Sequence, residues 1–116
     1  MRISKTFHFE AAHHLTNVPD SHQCARVHGH SYVVDVEVAG TVDRRMGWVM
    51  DFADISTAWD QCGKPLDHRD LNDILENPTA ENLAAMLFTD LEDILGSQVV
   101  AVTVHETASS WARVDA

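Results

Sequence analysis

Basic residues are scarce in this chain. Eight Lys and Arg residues stand against eighteen Asp and Glu residues, and the formal net charge at pH 7 is -10. Nucleic acids and anionic membranes both reward a basic protein face. The composition therefore argues against nucleic acid or a membrane as a partner. It leaves room for a small anionic substrate, which a metal ion and a few basic side chains could attract.

Long apolar runs are also missing. No segment approaches the roughly 18 residues of a transmembrane helix, and the N-terminal residues lack the apolar part of a signal peptide. The two cysteines, Cys24 and Cys62, could form one disulfide bond, but without a secretory signal we expect free thiols in a cytoplasmic protein. We expect a single domain over residues 1–116. There is no glycine-rich phosphate loop and no Gly-x-Ser-x-Gly motif, so P-loop and hydride-transfer chemistry are unsupported.

The chain does carry a clear order of strand and helix patterns. Alternating apolar residues predict strands over residues 2–13, 28–42, 98–106 and 111–114. Helical spacing predicts one helix from about Asp51 to near Gly63, with an apolar stripe of Phe52, Ile55, Trp59 and Cys62. A second helix opens after Asn77-Pro78-Thr79 and ends at Gly96. The order ββααββ predicts an α+β fold with an antiparallel sheet and both helices on one face.

Three histidines lie at predicted strand ends. His13 ends the first strand, and His28 and His30 begin the second, where a spacing of two residues turns both rings to one face. Three imidazoles on zinc leave one coordination position open, which is typical of catalytic zinc sites. Imidazole also suits copper, iron and nickel. We interpret the three histidines as a metal site, with zinc favoured, rather than as ordinary polar strand ends.

Cys24 lies four residues before His28, and its role is open from spacing alone. It could be a fourth ligand that closes a structural site. It could instead be a base or nucleophile, because a nearby cation and Arg26 would lower the pKa of the thiol. It could also be an inert buried residue. Cys62 lies at an apolar helix position, so we expect it in the core.

Two further groups could carry acid–base or binding chemistry. In Asp67-His68 a carboxylate could set the tautomer of an adjacent general base. Glu106 ends a strand, where its carboxylate could accept paired hydrogen bonds from an amidine-like ring edge. We expect the other four histidines, His8, His14, His22 and His105, to be loop or solvent-facing residues without a site role.

Several motifs together resemble the 6-pyruvoyl-tetrahydropterin synthase and 6-carboxy-tetrahydropterin synthase family. The motifs are Phe9-Glu-Ala-Ala-His13, Cys24-Ala-Arg-Val-His-Gly-His30, Gly47-Trp-Val-Met-Asp-Phe52, Leu66-Asp-His-Arg-Asp-Leu-Asn72, Asn77-Pro-Thr-Ala-Glu-Asn82 and His105-Glu-Thr107. Three residues separate the cysteine from His-Gly-His, whereas the pyruvoyl-forming enzymes typically have more. This spacing resembles the 6-carboxy branch, which acts in 7-deazapurine (queuosine-type) biosynthesis.

The resemblance implies a tunnelling fold (T-fold), a homohexamer built as a dimer of trimers, and active sites between subunits. It implies Zn²⁺ bound by His13, His28 and His30, Cys24 as the catalytic thiol, Asp67 and His68 as a catalytic pair, and Glu106 as the pterin anchor. Thr79 lies in a segment that would line the pterin pocket. Separately from the resemblance, we expect Arg26, one of the few basic residues, to help meet the triphosphate. The implied reaction converts 7,8-dihydroneopterin triphosphate to 6-carboxy-5,6,7,8-tetrahydropterin, acetaldehyde and triphosphate. The alternatives are 6-pyruvoyl-tetrahydropterin synthase and a non-catalytic module with a closed site of one cysteine and three histidines.

Overall fold

A five-stranded sheet carries two α-helices in a computed structural model that describes residues 1–116. The strands are β1 (Arg2–His13), β2 (His28–Ala39), β3 (Arg69–Asp70), β4 (Val99–His105) and β5 (Trp111–Asp115), and the helices are α1 (Phe52–Cys62) and α2 (Ala80–Leu95). The strand order is β3-β1-β2-β4-β5. The predicted α+β class with ββααββ as its main elements is confirmed.

β1 and β2 form a long antiparallel pair. Their register runs from Arg2 opposite Ala39 to His13 opposite His28. Side chains alternate between the two faces of a strand, so Phe9 and His13 are buried while Glu10 is exposed. The same alternation makes Tyr32 and the following even-numbered valines of β2 fully buried. This pairing fixes the relative positions of the three histidines.

Both helices begin at a side-chain cap. The Asp51 carboxylate accepts a hydrogen bond from the Ala53 N–H at 2.8 Å, and the Thr79 hydroxyl accepts one from the Asn82 N–H at 3.1 Å. Such caps satisfy backbone donors that the first helical turn leaves unpaired. The α2 stripe then packs on the sheet through three fully buried leucines, Leu83, Leu87 and Leu91. α2 ends before Gly96, whose φ of 78° suits glycine.

The predicted stripe of α1 is wrong at its first position. Phe52 is 49% exposed, whereas Ile55 and Trp59 lie in the core. Helical side chains lean toward the N-terminus. The side chain of Phe52, the first residue of α1, therefore extends past the end of the helix and away from the core. Cys62, at the other end of the stripe, is partly buried and packs against the core.

The sheet is mixed rather than wholly antiparallel, because β3 pairs parallel to β1 at Ala11 and Ala12. No periodic pattern predicts this strand, because two residues are too few to show alternation. β2 also ends at Ala39, three residues before the predicted Val42. A register shift at Glu37/Val38 places Val99 opposite Val38, so Val99 rather than Val100 is fully buried.

Neither α1 nor α2 has the length and apolar character that a bilayer-crossing helix requires.

Candidate active site

Four side chains converge where β1, β2 and β4 present their ends to one face of the sheet. One donor atom from each of His13, His28, His30 and Glu106 lies within 4.8 Å of the other three. His13 faces His28 directly in the β1–β2 register, and His30 lies opposite Ala11. Glu106 directly follows β4, the other neighbour of β2. The sequence predicted these residues as candidates, and the sheet brings all four together.

The second ring nitrogen of two histidines is held by backbone carbonyls. The Nδ1 of His13 lies 2.7 Å from the Pro78 oxygen, and the Nδ1 of His28 lies 2.7 Å from the Arg26 oxygen. A carbonyl oxygen only accepts hydrogen bonds, so both Nδ1 atoms carry the proton when the rings are neutral. Each Nε2 is then left as a lone pair that points into the cluster, which is the usual arrangement behind a metal ligand.

The distances between these nitrogen atoms show whether a metal ion would fit among them. The Nε2 atoms of His13 and His28 are 3.1 Å apart, and two neutral acceptors at that distance repel unless a cation lies between them. Ligands about 2.05 Å from a tetrahedral zinc would be about 3.3 Å apart, which matches this spacing. The buried Nε2 of His30 has no hydrogen-bond partner. It lies 3.2 Å from Glu106 Oε1, but without hydrogen-bond geometry. The donor set therefore suits Zn²⁺.

Burial favours the neutral, metal-binding form of His30. Desolvation is the largest cause that lowers the pKa of its imidazole, the neighbouring His13 and His28 lower it further, and Glu106 acts in the opposite direction. Behind the cluster, burial is also the main cause that raises the pKa of Tyr32. The Tyr32 hydroxyl lies 3.2 Å from His13 Nδ1, so it stays a neutral phenol beside the cluster.

Cys24 opens into the same space as the cluster but is not one of the four converging donors. It shares a cavity of about 390 Å³ with His28, His30 and Glu106. Both cysteines are free thiols. Burial, followed by the nearby Asp90, raises the pKa of Cys62 to about 11, so that thiol stays largely protonated near neutral pH and reacts only slowly.

Asp67 and His68 lie elsewhere in the chain. His68 borders a second cavity, of about 480 Å³, together with Glu10 and Ser31, whose side chains point away from the histidine face of the sheet. The Nε2 of His68 is 3.7 Å from Asp67 Oδ2, and the His68 side chain is 81% exposed. Of the residues that border the two cavities, only His30 is common to both. Within one chain, the pair and Cys24 do not face the same space.

Thr79 and Arg26 touch the site through their local structure. The Thr79 hydroxyl caps α2, and its neighbour Pro78 supplies the carbonyl that holds His13. Arg26 supplies the carbonyl that holds His28, while the residue itself is exposed. Neither residue borders the cavity that contains Cys24.

Three histidines without an expected role have specific contacts. His22 Nδ1 accepts a hydrogen bond from the Cys24 N–H at 3.0 Å. His105 Nε2 lies 3.0 Å from Asp35 Oδ2. The backbone N–H of His14 donates to Asn72 Oδ1 at 2.9 Å, so Asn72 holds the chain just after His13. The His-x-Cys spacing could have signalled the first contact, whereas the other two depend on residues distant in sequence.

Comparisons with known proteins identify the family of the chain. The family model described as 6-pyruvoyl tetrahydropterin synthase matches residues 2–116. The chain belongs to this family. It is 42% identical over 118 residues to 6-carboxy-5,6,7,8-tetrahydropterin synthase of a Synechocystis species, covering 96% of this chain and 90% of the relative. It is 39% identical over 83 residues to dihydroneopterin monophosphate aldolase of Pyrococcus furiosus, covering 72% and 68%.

A solved structure of the family has the same fold as this chain. The structure of 6-pyruvoyl tetrahydropterin synthase from Caenorhabditis elegans matches this chain with a TM-score of 0.92 at 27% identity, covering 100% of this chain and 95% of that one. The predicted T-fold is therefore confirmed, and the protein is an enzyme of the 6-pyruvoyl tetrahydropterin synthase family.

Proposed function

We propose that this enzyme is a zinc-dependent 6-carboxy-5,6,7,8-tetrahydropterin synthase. It would convert 7,8-dihydroneopterin triphosphate and one water to 6-carboxy-5,6,7,8-tetrahydropterin, acetaldehyde and triphosphate, a step of queuosine-type 7-deazapurine biosynthesis in the cytoplasm. The observation that carries the proposal is the convergence of three imidazoles and Glu106 within 4.8 Å, with the Cys24 thiol in the adjoining cavity. The similarity to the Synechocystis 6-carboxy enzyme supports this branch of the family.

Different residues would bind the metal, anchor the substrate and transfer the proton. His13, His28 and His30 would hold the zinc, and the bound metal would supply Lewis-acid stabilisation of negative charge on substrate oxygens. Glu106 would anchor the amidine-like edge of the pterin and so orient the side chain of the substrate. Cys24, as the thiolate, would accept or return a carbon-bound proton from the cavity wall. Arg26 and Thr79 do not border the Cys24 cavity. They would contact the substrate only where it extends beyond that cavity.

A second acid–base group would come from another subunit. Asp67 and His68 do not reach their own chain's Cys24 cavity, yet His68 is exposed and available to a neighbour. We propose a homohexamer in which the pair of one chain completes the site of the next, as dimers of trimers would allow. The exposed cavity beside His68 supports this arrangement.

The direct test is incubation of the zinc-loaded protein with 7,8-dihydroneopterin triphosphate, followed by chromatography and mass spectrometry. Acetaldehyde together with a 6-carboxy pterin is the expected result. A 6-pyruvoyl product without acetaldehyde would instead identify a 6-pyruvoyl-tetrahydropterin synthase. Absence of turnover with tightly held zinc would favour a non-catalytic metal-binding module.

A single substitution separates the catalytic role of Cys24 from the role of a fourth zinc ligand. Because its sulfur is not among the converging donors, we expect Cys24→Ala to keep one zinc per chain while kcat falls by at least about 100-fold, as for loss of an acid–base group. Zinc content is measured by elemental analysis, with Cys62→Ser as the matched cysteine control. Loss of zinc from Cys24→Ala alone would support a closed site of one cysteine and three histidines.

A further inference from the structure

The imidazole of His22 is joined to the backbone of Cys24. His22 Nδ1 accepts a hydrogen bond from the Cys24 N–H at 3.0 Å. His22 has an extended backbone, with φ -71° and ψ 136°, and it directly precedes the short 3₁₀ turn Gln23–Ala25. This is the position and geometry of an N-cap, which Asn, Asp, Ser and Thr occupy most often. His22 is therefore the N-cap of the turn that contains Cys24.

Besides this cap, the turn has one internal backbone hydrogen bond of ordinary length, from the Ala25 N–H to the His22 oxygen at 3.0 Å. None of its three residues is buried, and its last hydrogen bond, from the Arg26 N–H to the Gln23 oxygen, is long at 3.4 Å. The Cys24 oxygen accepts from the Leu15 N–H at 2.8 Å, which ties the turn to the segment after β1. Cys24 is thus fixed at its carbonyl by Leu15 and at its N–H by His22. Loss of the His22 acceptor would leave the Cys24 N–H without its hydrogen bond, and only the carbonyl would stay fixed.

The orientation of the thiol depends on this turn, because Cys24 borders the cavity that also contains His28, His30 and Glu106. Misplacement of a reacting group by about 1 Å can cost 100-fold in rate. We propose that His22 is a positioning residue that holds the Cys24 thiol toward the metal cluster by capping the Gln23–Ala25 turn. The proposal rests on the proposed function insofar as Cys24 is the reacting thiol.

The test compares His22→Ala, which removes the acceptor, with His22→Asn, which restores an N-cap oxygen. Two readouts are measured for each: kcat and KM with 7,8-dihydroneopterin triphosphate, and the alkylation rate of Cys24 by iodoacetamide, followed by peptide mass. Cys62 in the same samples is the internal reference, and His8→Ala, an exposed histidine of β1, is the control variant. The exposed turn makes loss of the overall fold by His22→Ala unexpected, and thermal unfolding checks it.

We expect His22→Ala to lower kcat about tenfold, as for the loss of one orienting hydrogen bond, with KM within about twofold of the parent. Alkylation of Cys24 should change several-fold, and the Cys62 rate should not. His22→Asn should return both readouts to within about twofold of the parent. A His22→Ala variant that matches the parent in both readouts would overturn the inference, and so would a His22→Asn variant as impaired as His22→Ala.

The alkylation readout separates this inference from the proposed function. If the parent shows no turnover but Cys24 alkylation still responds to His22→Ala and is restored by His22→Asn, the proposed reaction fails and the positioning role stands. If the parent does turn over and neither readout responds to His22→Ala, the positioning role fails alone.

Discussion

His68 has a backbone conformation that few side chains adopt. Its φ of 60° makes it the one residue other than glycine with a positive φ, a conformation that costs about 1–2 kcal/mol for most L-residues. The conformation is imposed from outside the residue. The His68 N–H donates to the Glu10 oxygen at 2.6 Å, and Asp67 Oδ1 accepts from the Glu10 N–H at 2.9 Å. β1 thus holds the Asp67-His68 pair in one orientation, as strained functional residues often are.

This strain predicts an unusual order of stabilities. Since glycine tolerates positive φ and alanine does not, we expect His68→Gly to be more stable than His68→Ala by about 1 kcal/mol. Urea unfolding measures the difference. At His8, in the middle of β1, the order should reverse, with the glycine variant less stable by about 0.5–1 kcal/mol. Equal stabilities of the two His68 variants would show that the residue relaxes freely.

At the scale of single residues, the sequence predicted what depends on local spacing. His28 and His30 share a face because they are two residues apart in a strand, and His13 joins them through the register of an adjacent pairing. The contacts of His105 with Asp35 and of His14 with Asn72 join residues far apart in sequence, so no local pattern signals them. The distance of Asp67-His68 from Cys24 also depends on the whole fold.

At the scale of one element, the start of α2 links stability to the site. Thr79 caps the helix through its hydroxyl, and the preceding Pro78 holds His13. We expect Thr79→Ala to lower the free energy of unfolding by about 1 kcal/mol and Thr79→Ser to change it by much less, because serine keeps the capping oxygen. Chemical unfolding checks both.

The kinetics of Thr79→Ser test the substrate contact that the family resemblance implies for Thr79. If the residue acts only as a cap, KM of the serine variant should equal that of the parent. A raised KM in Thr79→Ser with unchanged stability would instead indicate a substrate contact.

Asp90, on the same helix, gives the stability a pH dependence. Burial and the nearby Asp93 raise the pKa of its carboxyl group. An acid with a raised pKa binds more protons in the folded than in the unfolded chain. Its ionisation therefore destabilises the fold once the pH exceeds the ordinary pKa of an aspartate, about 4.

We therefore expect Asp90→Asn to be more stable than the parent at pH 7, by at most about 0.5 kcal/mol, and to lose this advantage near pH 3. Thermal unfolding at several pH values measures the effect. Glu92→Gln removes the same charge from an exposed position of α2 and controls for net charge. If both variants behave alike across the pH range, the global charge of -10 rather than the burial of Asp90 is responsible.

The elements that the sequence predicted well have long periodic patterns and caps. α2 combines a capping threonine, a leucine stripe and a terminal glycine, and its bounds agree closely with the prediction. β3 has two residues and no period of its own. It directly follows Asp67 and His68, which bind the backbone of Glu10, so its parallel pairing could not be read from its own sequence. The shift at Glu37/Val38 likewise arises from pairing between strands.

At the scale of the whole molecule, the chain is elongated. Its principal extents are 57 × 24 × 22 Å and its radius of gyration is 15.3 Å, against about 13 Å for a typical domain of this length. Two strand edges are unpaired: β5, at the end of the sheet, and most of β1, which β3 covers only at Ala11 and Ala12. Open edges are templates for pairing with another chain, which fits the proposed homohexamer.

The hydrogen bonds of β5 show how to block its free edge without harming the sheet. The Glu106 N–H donates to the Ser110 oxygen and the Ala116 N–H to the Val100 oxygen, so even-numbered residues bond to β4 in this antiparallel pair. The N–H groups of the odd-numbered residues, Trp111 among them, must point to the open edge. Proline at such a position removes an outward donor only, and edge strands tolerate it.

We therefore expect Trp111→Pro to lower the mass of the assembly in solution, as measured by light scattering, while circular dichroism stays that of the parent. Trp111→Ala also removes the exposed indole but keeps the N–H, so it should remain assembled at about six times the mass of one chain. Asp115→Pro repeats the test at the far end of the strand. If both proline variants keep the parent's mass, the free edge of β5 is not a subunit contact, and Asp67 and His68 must reach a neighbouring site by another surface. If the alanine variant dissociates as fully as the proline variant, the indole rather than the backbone joins the subunits.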